Sequence, residues 1–246
     1  MTDGPGRLSG RIALITGASR GLGAAVARAY AAEGAQVIVC ARTQGGLEEV
    51  DDAIRAEGGS ATLFPADLRE FDTIDRMALA IHQRFGRLDI LVGNAGILGM
   101  LTPMHQIEPK QWDEVMAINL TANWRLVRAC DPLLRLSDAG RAIFVTSGAG
   151  DGRHPYWGAY AVSKGALEIM AETWAAEIEN TKMRVNLINP GATRTGMRAE
   201  AFPGEDPATL PSAEEIAQAF VPPAEASWTR NGERFNARDL LSMDRA

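Results

Sequence analysis

A run of apolar residues that ends in a glycine-rich turn is the feature that most restricts how this 246-residue chain can fold. Residues 11–16 are mostly apolar, which is typical of a buried strand in a parallel sheet. The turn at residues 17–23 has the spacing G-x-x-x-G-x-G, and a helical pattern follows it as far as Gly34. Strand, turn and helix together predict a phosphate cradle at the positive end of the helix, although such a turn can also serve packing alone.

The alternation of strands and helices continues along the chain. Further strands are predicted at residues 36–42, 62–65, 89–92, 142–146 and 184–188, with a short candidate at 234–237. Helical spacing fills the stretches between them, including one long pattern from residue 109 to about 136. We therefore expect one doubly wound α/β domain over residues 1–246, with an N-terminal arm at 1–10. The proline-containing segment 194–211 is interpreted as a substrate lid, with a plain surface connection as the alternative.

A tyrosine and a lysine four residues apart, Tyr160 and Lys164, lie in the next helical pattern and so share one helix face. A free phenol has a pKa of about 10, and a neighbouring ammonium favours the phenolate and lowers that pKa toward neutrality. Ser147 follows the predicted strand 142–146, where its hydroxyl can stabilise charge on a substrate oxygen. The pattern Y-x-x-x-K alone is weak, and it gains weight only from the motifs around it.

These motifs, taken in order with Asn94-Ala95-Gly96, Asn119 and Pro190-Gly191, closely resemble the classical short-chain dehydrogenase/reductase (SDR) family over residues 11–197. The resemblance implies a Rossmann-like fold with a seven-stranded parallel sheet and hydride transfer with a nicotinamide cofactor. It implies a catalytic set of Asn119, Ser147, Tyr160 and Lys164, in which Asn119 breaks its helix and holds a water near the lysine. Gly93 departs from the family, which often has an asparagine there; we expect looser local hydrogen bonding.

The resemblance also implies the cofactor contacts. Asp67 and Leu68 correspond to the adenine site, although Asp67 could instead cap the following helix. Pro190 and Gly191 border the nicotinamide in the family, and Thr193 and Thr195 can bind its carboxamide or the phosphates. The full set of expected cofactor contacts is Gly17, Ser19, Arg20, Gly21, Leu22, Gly23, Arg42, Asp67, Leu68, Asn94, Ala95, Gly96, Tyr160, Lys164, Pro190, Gly191, Thr193 and Thr195.

The end of the second strand indicates which cofactor is preferred. An NAD-selective site usually has Asp or Glu there for the ribose hydroxyls, whereas this chain has Ala41 followed by Arg42. Arg42 and Arg20 can bind a 2′-phosphate through charge-assisted hydrogen bonds. We therefore expect NADP(H), with NAD(H) possible; the alternative is that both arginines are ordinary solvated surface residues.

Composition excludes several classes of function. A net charge of −6 without a basic block argues against nucleic acid and anionic membranes as partners. The first residues lack the layout of a signal peptide, and no apolar run reaches the length of a membrane span. Cys40 and Cys130 are expected to be buried thiols, so that the cytoplasm is the natural setting. The three scattered histidines predict no metal site, although His154 could touch substrate.

The sequence thus predicts an NADP(H)-dependent oxidoreductase acting on a small, rather hydrophobic carbonyl or alcohol, with Tyr160 as general acid/base. Two alternatives stay open. One is a 3-oxoacyl-thioester reductase that docks an acidic carrier protein on Arg125, Arg128, Arg135 and Arg141. The other is a regulatory protein that binds NADPH without turnover. The apolar helix faces at residues 112–136 and 157–180 further indicate a homodimer or homotetramer.

Overall fold

Seven strands are present in the computed structural model, which describes residues 6–243. They are β1 (Ile12–Thr16), β2 (Gln36–Ala41), β3 (Ala61–Pro65), β4 (Ile90–Gly93), β5 (Arg141–Val145), β6 (Arg184–Asn189) and β7 (Arg234–Asn236). All of them pair in parallel in a single sheet of order β3-β2-β1-β4-β5-β6-β7. The prediction of a doubly wound, seven-stranded parallel sheet is confirmed. The order reverses between β1 and β4, which is where such sheets bind their ligands.

Ten α-helices lie within the same described residues. They are α1 (Gly21–Ala32), α2 (Gln44–Ala56), α3 (Phe71–Phe85), α4 (Pro109–Met116), α5 (Ala122–Arg135), α6 (Gly158–Glu177), α7 (Gly196–Ala201), α8 (Ala213–Ala217), α9 (Val221–Ala224) and α10 (Ala237–Met243). The long helix predicted at 109–136 is interrupted, because a π-helical turn at Ala117–Thr121 separates α4 from α5. This turn contains Asn119, as expected from a helix break at that residue.

The core consists of two apolar layers, one on each face of the sheet. Successive residues of a strand point to opposite faces, so in β1 Ala13 and Ile15 join one layer and Ile12 and Leu14 the other. The first layer includes buried residues of α1, α2 and α8, and the second includes residues of α3, α5 and α6. The strands are buried on both faces, which is why they read as continuous apolar runs.

Two segments differ from simple expectation. The predicted N-terminal arm falls partly on residues 1–5, which lie outside the described residues, and the rest of it packs on the domain. Leu8 is fully buried and its amide donates to the carbonyl oxygen of Glu33 at 2.9 Å. The segment predicted as a lid contains α7 and a 3-10 turn at Pro207–Thr209, and a bridge from Arg194 to Ser212 closes its base.

Gly93, the departure from the family pattern, lies where three elements meet. A Cβ atom on Gly93 would overlap the ring of Phe144 on β5 and would approach Asn123 Oδ1 of α5 to 2.5 Å. Asn123 itself donates to the carbonyl oxygen of Asn119 at 2.8 Å. Gly93 therefore leaves room for Asn123, whose side-chain nitrogen is hydrogen-bonded, whereas its buried Oδ1 beside Gly93 has no partner among the described residues.

We expect Gly93→Ala to lower the free energy of unfolding by about 1–3 kcal/mol, because the added methyl group overpacks a site closed by Phe144 and Asn123. Urea denaturation followed by circular dichroism measures the change. Gly45→Ala in α2 is the matched control, since its Cβ meets no atom within 4 Å. That variant should stay within about 1 kcal/mol of the parent, on the stabilising side. Equal stability of the two variants would contradict the prediction.

Candidate active site

A cleft of about 1000 Å³ runs along the carboxyl edge of the sheet, beside the β1–β4 switch point. Every residue predicted to contact the cofactor lines it, from Gly17 in the turn after β1 to Thr195 before α7. Ser147, Tyr160 and Lys164 line it as well. Asn119 is the exception in the predicted set, because it lies behind the wall of the cleft and is fully buried.

The turn after β1 packs so closely on the turn after β4 that it requires glycine. Its backbone is therefore bare and can approach a bound dinucleotide. A Cβ on Gly17 would lie 2.8 Å from Ala95 Cα, and Gly17 has a φ of +65°. The side-chain nitrogen of Asn94, Nδ2, connects the two turns. It donates to the carbonyl oxygens of Thr16 at 2.8 Å and Gly17 at 3.2 Å. The result is a floor of bare backbone at the N-terminus of α1, where an anionic phosphate is favoured.

Two arginines line the cleft on neighbouring turns. Arg20 is the N-cap of α1 and Arg42 follows β2, and the segments that lead to them are joined by a hydrogen bond of 3.2 Å from Ala18 N to the carbonyl oxygen of Cys40. Both side chains are exposed, and within residues 6–243 neither forms an ion pair shorter than 4 Å. Asp67 does not cap α3: its carboxylate accepts from Arg69 N at 2.9 Å and Arg69 Nη2 at 2.6 Å. These hydrogen bonds lower the pKa of Asp67.

Tyr160 and Lys164 are buried at one end of the cleft. Tyr160 and Lys164 lie on one face of α6, one helical turn apart, and are only 8% and 3% exposed. Lys164 Nζ donates to the carbonyl oxygen of Val145 on β5 at 2.7 Å and lies 5.7 Å from the centre of the Tyr160 ring. Ser147 lies two residues after the end of β5 and caps a 3-10 turn at Gly148–Asp151. Its Oγ accepts a hydrogen bond from Ala149 N at 3.2 Å.

Burial changes the pKa values at this end. Burial raises the pKa of Tyr160 above its ordinary value, and a hydrogen bond with the Ser147 side chain opposes that rise. From the sequence we expected the ammonium of Lys164 to lower the pKa of Tyr160; the net shift is upward, because desolvation of the phenolate is the largest cause and the Ser147 hydrogen bond is the one that opposes it. Burial also lowers the pKa of Lys164 to about 8, with Glu168 acting in the opposite direction.

Asn119 connects the π-helical turn to the reactive face of α6. Its side chain accepts from Ile97 N at 2.9 Å and donates to the Ile97 carbonyl oxygen, also at 2.9 Å. The same amide donates to Ser163 Oγ at 3.0 Å, and Ser163 in turn donates to the carbonyl oxygen of Tyr160 at 2.7 Å. A water held near Lys164 stays a prediction.

Aromatic side chains form the wall next to Tyr160. The Trp157 ring lies 5.7 Å from that of Tyr160 and 5.8 Å from that of Phe202, which belongs to the segment predicted as a lid. His154 meets Trp157 edge-on at 5.9 Å and lines the cleft. Tyr156, just before Trp157, has a φ of +73°, a strained conformation for a bulky residue. The strained turn places Trp157 against the cleft.

Several residues of the site were not found from the sequence. Ser163 lies inside the Y-x-x-x-K pattern and could have been suspected from that position. Glu168 and Thr146, joined by a 2.5 Å hydrogen bond, carry no motif of their own. Thr43, Gly46 and Glu49 line the cleft near Arg42, because the start of α2 packs on Ser19. Only the folded structure brings these groups to the site.

One of the arginines considered for carrier docking cannot serve. Arg141 is buried, and its guanidinium donates to five backbone carbonyl oxygens, those of Gly140, Lys182, Glu225, Ala226 and Trp228. Burial lowers its pKa to about 10. Arg135 is paired with Asp131 at 2.7 Å, and Arg125 packs over the rings of Phe71 and Trp124. The expected basic surface is therefore reduced.

None of the helices in the described part of the chain combines the length and the apolar character that crossing a bilayer requires. Residues 6–243 contain no group of three or more His, Cys, Asp or Glu side chains placed to hold a metal ion. Cys40 and Cys130 are buried free thiols.

The fold and the cleft define a dinucleotide-binding α/β protein with a tyrosine–lysine pair, and comparison with known proteins gives its family. The family model described as short chain dehydrogenase matches residues 11–206. The oxidoreductase YciK of Escherichia coli K12 is 41% identical over 217 residues, which cover 87% of this chain and 86% of that relative. The chain belongs to the short-chain dehydrogenase/reductase family, as the sequence indicated, and is an oxidoreductase of that family.

Two further comparisons concern the cofactor. The structure of a short chain dehydrogenase from Shigella flexneri 2a complexed with NADP matches with a TM-score of 0.92 and 39% identity, covering 96% of this chain and 100% of that one. The NAD-dependent oxidoreductase MT0715 of Mycobacterium tuberculosis is 35% identical over 211 residues, covering 80% of this chain and 76% of that protein. The family thus includes similar proteins associated with each of the two cofactors.

The buried ammonium leads to a pH prediction. The pKa of Lys164 is lower in the folded protein than its ordinary value of 10.5, so the unfolded chain binds more protons between about pH 8 and 10.5 and stability rises with pH there. Lys164→Met removes this dependence. The unfolding free energy of the variant minus that of the parent should therefore fall by up to about 1.4 kcal/mol per pH unit across that range.

Urea denaturation at pH 7, 8, 9 and 10 measures this difference. Lys182→Met is the control, because Lys182 is exposed and its stability difference should stay flat. If the difference in unfolding free energy between Lys164→Met and the parent is constant over this pH range, burial does not lower the pKa of Lys164.

Proposed function

We propose that the protein is an NADP(H)-dependent reductase or dehydrogenase of a small, hydrophobic carbonyl or alcohol, with Tyr160 as general acid/base. The observation that carries this proposal is the buried pair of Tyr160 and Lys164 on one face of α6, beside Ser147 at the end of a cleft floored by glycine backbone. When bound, NADP(H) supplies the hydride acceptor or donor. The protein's own groups bind and orient the reactants and move the proton.

The cofactor is held along the whole cleft in this proposal. The backbone of the glycine turn receives the pyrophosphate, and the groups after β3 and β4, namely Asp67, Leu68, Asn94, Ala95 and Gly96, border the adenosine and ribose parts. Pro190, Gly191 and Thr193 border the nicotinamide. Thr195 has a second task, since its hydroxyl caps α7 by accepting from Arg198 N at 3.3 Å.

The preference for NADP(H) rests on Arg20 and Arg42, which are exposed, line the same cleft and form no ion pair within 4 Å among the described residues; the charge of Arg42 acts on the Asp67 carboxylate only from a distance. A 2′-phosphate would form charge-assisted hydrogen bonds with both guanidiniums. NAD(H) lacks this phosphate and would bind more weakly, which makes it the secondary cofactor rather than an excluded one.

The proton moves between Tyr160 and the substrate oxygen. Because its pKa is raised, the phenol stays protonated at neutral pH and its hydroxyl can donate the proton to a carbonyl oxygen that becomes an alcohol. Ser147 Oγ donates a hydrogen bond to the same oxygen and stabilises the charge that develops there. Lys164, with a pKa of about 8, is mainly an ammonium at pH 7 and favours the phenolate left after transfer. Oxidation of the alcohol uses Tyr160 in reverse as the base.

Asn119 is proposed to act behind these groups. It fixes the loop after Gly96 through both backbone groups of Ile97, and it reaches the Tyr160 carbonyl through Ser163. Its backbone lies in the π-helical turn, next to the space around Lys164, where a Cβ on Gly96 would be 3.7 Å from Lys164 Nζ. A water there would complete a proton path to solvent.

The substrate is proposed to be hydrophobic because the wall beside Tyr160 consists of Trp157, Phe202, Met197 and Leu98. The carrier-protein alternative has lost its strongest support, since Arg141 is buried and Arg135 is already paired. We also propose a homodimer or homotetramer, since α5 and α6 leave Trp124 and Ile169 exposed by 47% and 68%.

Tyr160→Phe should lower kcat for carbonyl reduction by about 10²–10⁴-fold, the usual contribution of a positioned acid. NADPH binding, measured by fluorescence titration, should change by less than about threefold, because the ring and its packing remain. Tyr156→Phe is the control: Tyr156 is exposed and should keep full turnover. Full turnover of Tyr160→Phe would refute the role of the phenol. Tight NADPH binding with no turnover on any aldehyde, ketone or 3-oxo thioester would favour a non-catalytic NADPH-binding protein.

Arg42→Gln should weaken NADPH binding by about 10-fold or more, through loss of one charge-assisted contact to the 2′-phosphate. The Kd of NADH should stay within about twofold of the parent value, since NADH has no such phosphate. Arg84→Gln, an exposed position near the end of α3, controls for a general loss of positive charge. An equal loss for NADPH and NADH would assign Arg42 to the surface rather than to the cofactor.

A further inference from the structure

One turn beyond Lys164 on α6, the carboxylate of Glu168 joins three elements of the fold. Its Oε1 accepts from Thr146 Oγ1 at 2.5 Å and forms an ion pair with Arg234 Nε of β7 at 2.8 Å. Thr146 is the buried residue just before Ser147, and Arg234 Nη2 donates to the carbonyl oxygen of Ser147 at 3.2 Å. The backbone of Ser147 is therefore held on both sides by groups that meet at Glu168.

The carboxylate has little freedom to leave this position. A Cβ on Gly150 would lie 3.3 Å from Glu168 Oε1, also 3.3 Å from Gly165 N, and a Cβ on Gly165 would lie 3.0 Å from the Gly150 carbonyl oxygen. The 3-10 turn after Ser147 thus packs directly on α6 between Lys164 and Glu168. The side chain of Glu168 is only 18% exposed.

The charges around Lys164 give this carboxylate a second effect. The ammonium contacts Tyr160 on its own helix and the Val145 carbonyl on β5, and Gly96 brings the π-helical turn with Asn119 close to it. None of these neighbours is an anion while Tyr160 is protonated. Glu168 is the carboxylate that favours the charged form of Lys164, and Arg234 lies against that carboxylate.

We propose that Glu168 is a positioning residue of the active site, which fixes Ser147 through Thr146 and Arg234 and maintains the charge of Lys164. The inference rests on the proposed function, since it takes Lys164 as one of the groups that contact the cofactor. Arg234 brings the C-terminal strand β7 into the support of the site. Its guanidinium also screens the carboxylate, so Glu168 and Arg234 should affect Lys164 in opposite directions.

NADPH binding measured by fluorescence titration between pH 7 and 10 tests this charge effect. A Tyr160→Phe background removes the titration of the phenol, so that Lys164 is the proposed group whose deprotonation weakens binding. Glu168→Gln should move the midpoint of that weakening to lower pH by about half a unit or more, because the ammonium loses its favourable charge. Arg234→Gln should move it to higher pH, because the carboxylate is no longer neutralised.

Glu172→Gln is the matched control, one further turn along α6 and exposed, and should leave the midpoint unchanged. A purely structural role would move Glu168→Gln and Arg234→Gln in the same direction. Such a result, or midpoints equal to that of Glu172→Gln, would overturn the proposal. If Glu168→Gln does not fold, as judged by circular dichroism, Arg234→Gln decides alone: an upward shift supports the proposal and any other result overturns it.

Activity of variants that keep Tyr160 gives a second readout. Glu168→Gln should lower kcat by about 10-fold with a smaller change in KM for the carbonyl substrate, because Ser147 and Lys164 act mainly on the developing charge. Failure of the proposed function is recognised separately, since it would appear as absent NADPH binding or as full turnover of Tyr160→Phe. With those two results as expected, unchanged midpoints would reject the role of Glu168 alone.

Discussion

The hydrogen bond from the Lys164 ammonium to the Val145 carbonyl oxygen is the contact on which the rest of the site depends. At 2.7 Å, it joins α6 directly to the end of β5 inside the protein. Tyr160 is one turn before Lys164, and Ser147 is two residues after Val145, so this contact sets the separation of the two groups proposed to touch substrate. A rotation of α6 would break this hydrogen bond and leave the buried ammonium of Lys164 without that acceptor. An unpaired charge away from solvent costs free energy. The hydrogen bond between Lys164 and Val145 therefore stabilises the separation of Tyr160 and Ser147.

Close packing around this contact requires small residues at defined places. Gly150 and Gly165 let the turn after Ser147 lie directly on α6, and Gly93 leaves space for Phe144 and Asn123. Asn123 then donates to the Asn119 carbonyl oxygen in the π-helical turn, and the Asn119 side chain satisfies both backbone groups of Ile97 in the loop after β4. Elements thus approach closely around Tyr160 and Lys164, and asparagine side chains pair buried backbone groups there. Such an arrangement keeps its side chains in one geometry before any substrate arrives.

The sequence predicted most of the architecture, because the strands are buried on both faces and so appear as apolar runs, and because a four-residue spacing fixes a helix face. The glycine turn and Ser147 were expected at the cleft because turns after parallel strands share one edge of the sheet, whereas contacts such as Asp67 and Pro190 were expected from the family resemblance. The break at Asn119 was expected from the family resemblance, but the π-helical form of that break was not, because the apolar spacing continues through residues 117–121. The carrier-protein alternative counted Arg141 as a surface residue, but Arg141 is buried and donates to five carbonyl oxygens, four of which belong to segments distant in sequence. The direction of the Tyr160 pKa was missed because spacing gives a neighbour's charge and not the loss of solvent.

The two ends of the cleft differ in a way that separates cofactor choice from chemistry. Arg20 and Arg42 are exposed on turns, where water screens their charge and a substitution leaves the core untouched. Tyr160 and Lys164 are buried, so a change in charge beside them acts through a medium that screens it little. In the proposed function, selectivity between NADP(H) and NAD(H) can therefore be altered at the exposed end without disturbing Tyr160, the proposed proton donor. A substitution near Glu168, although it touches neither reactant in the proposal, would act on the chemistry because it lies at the buried end.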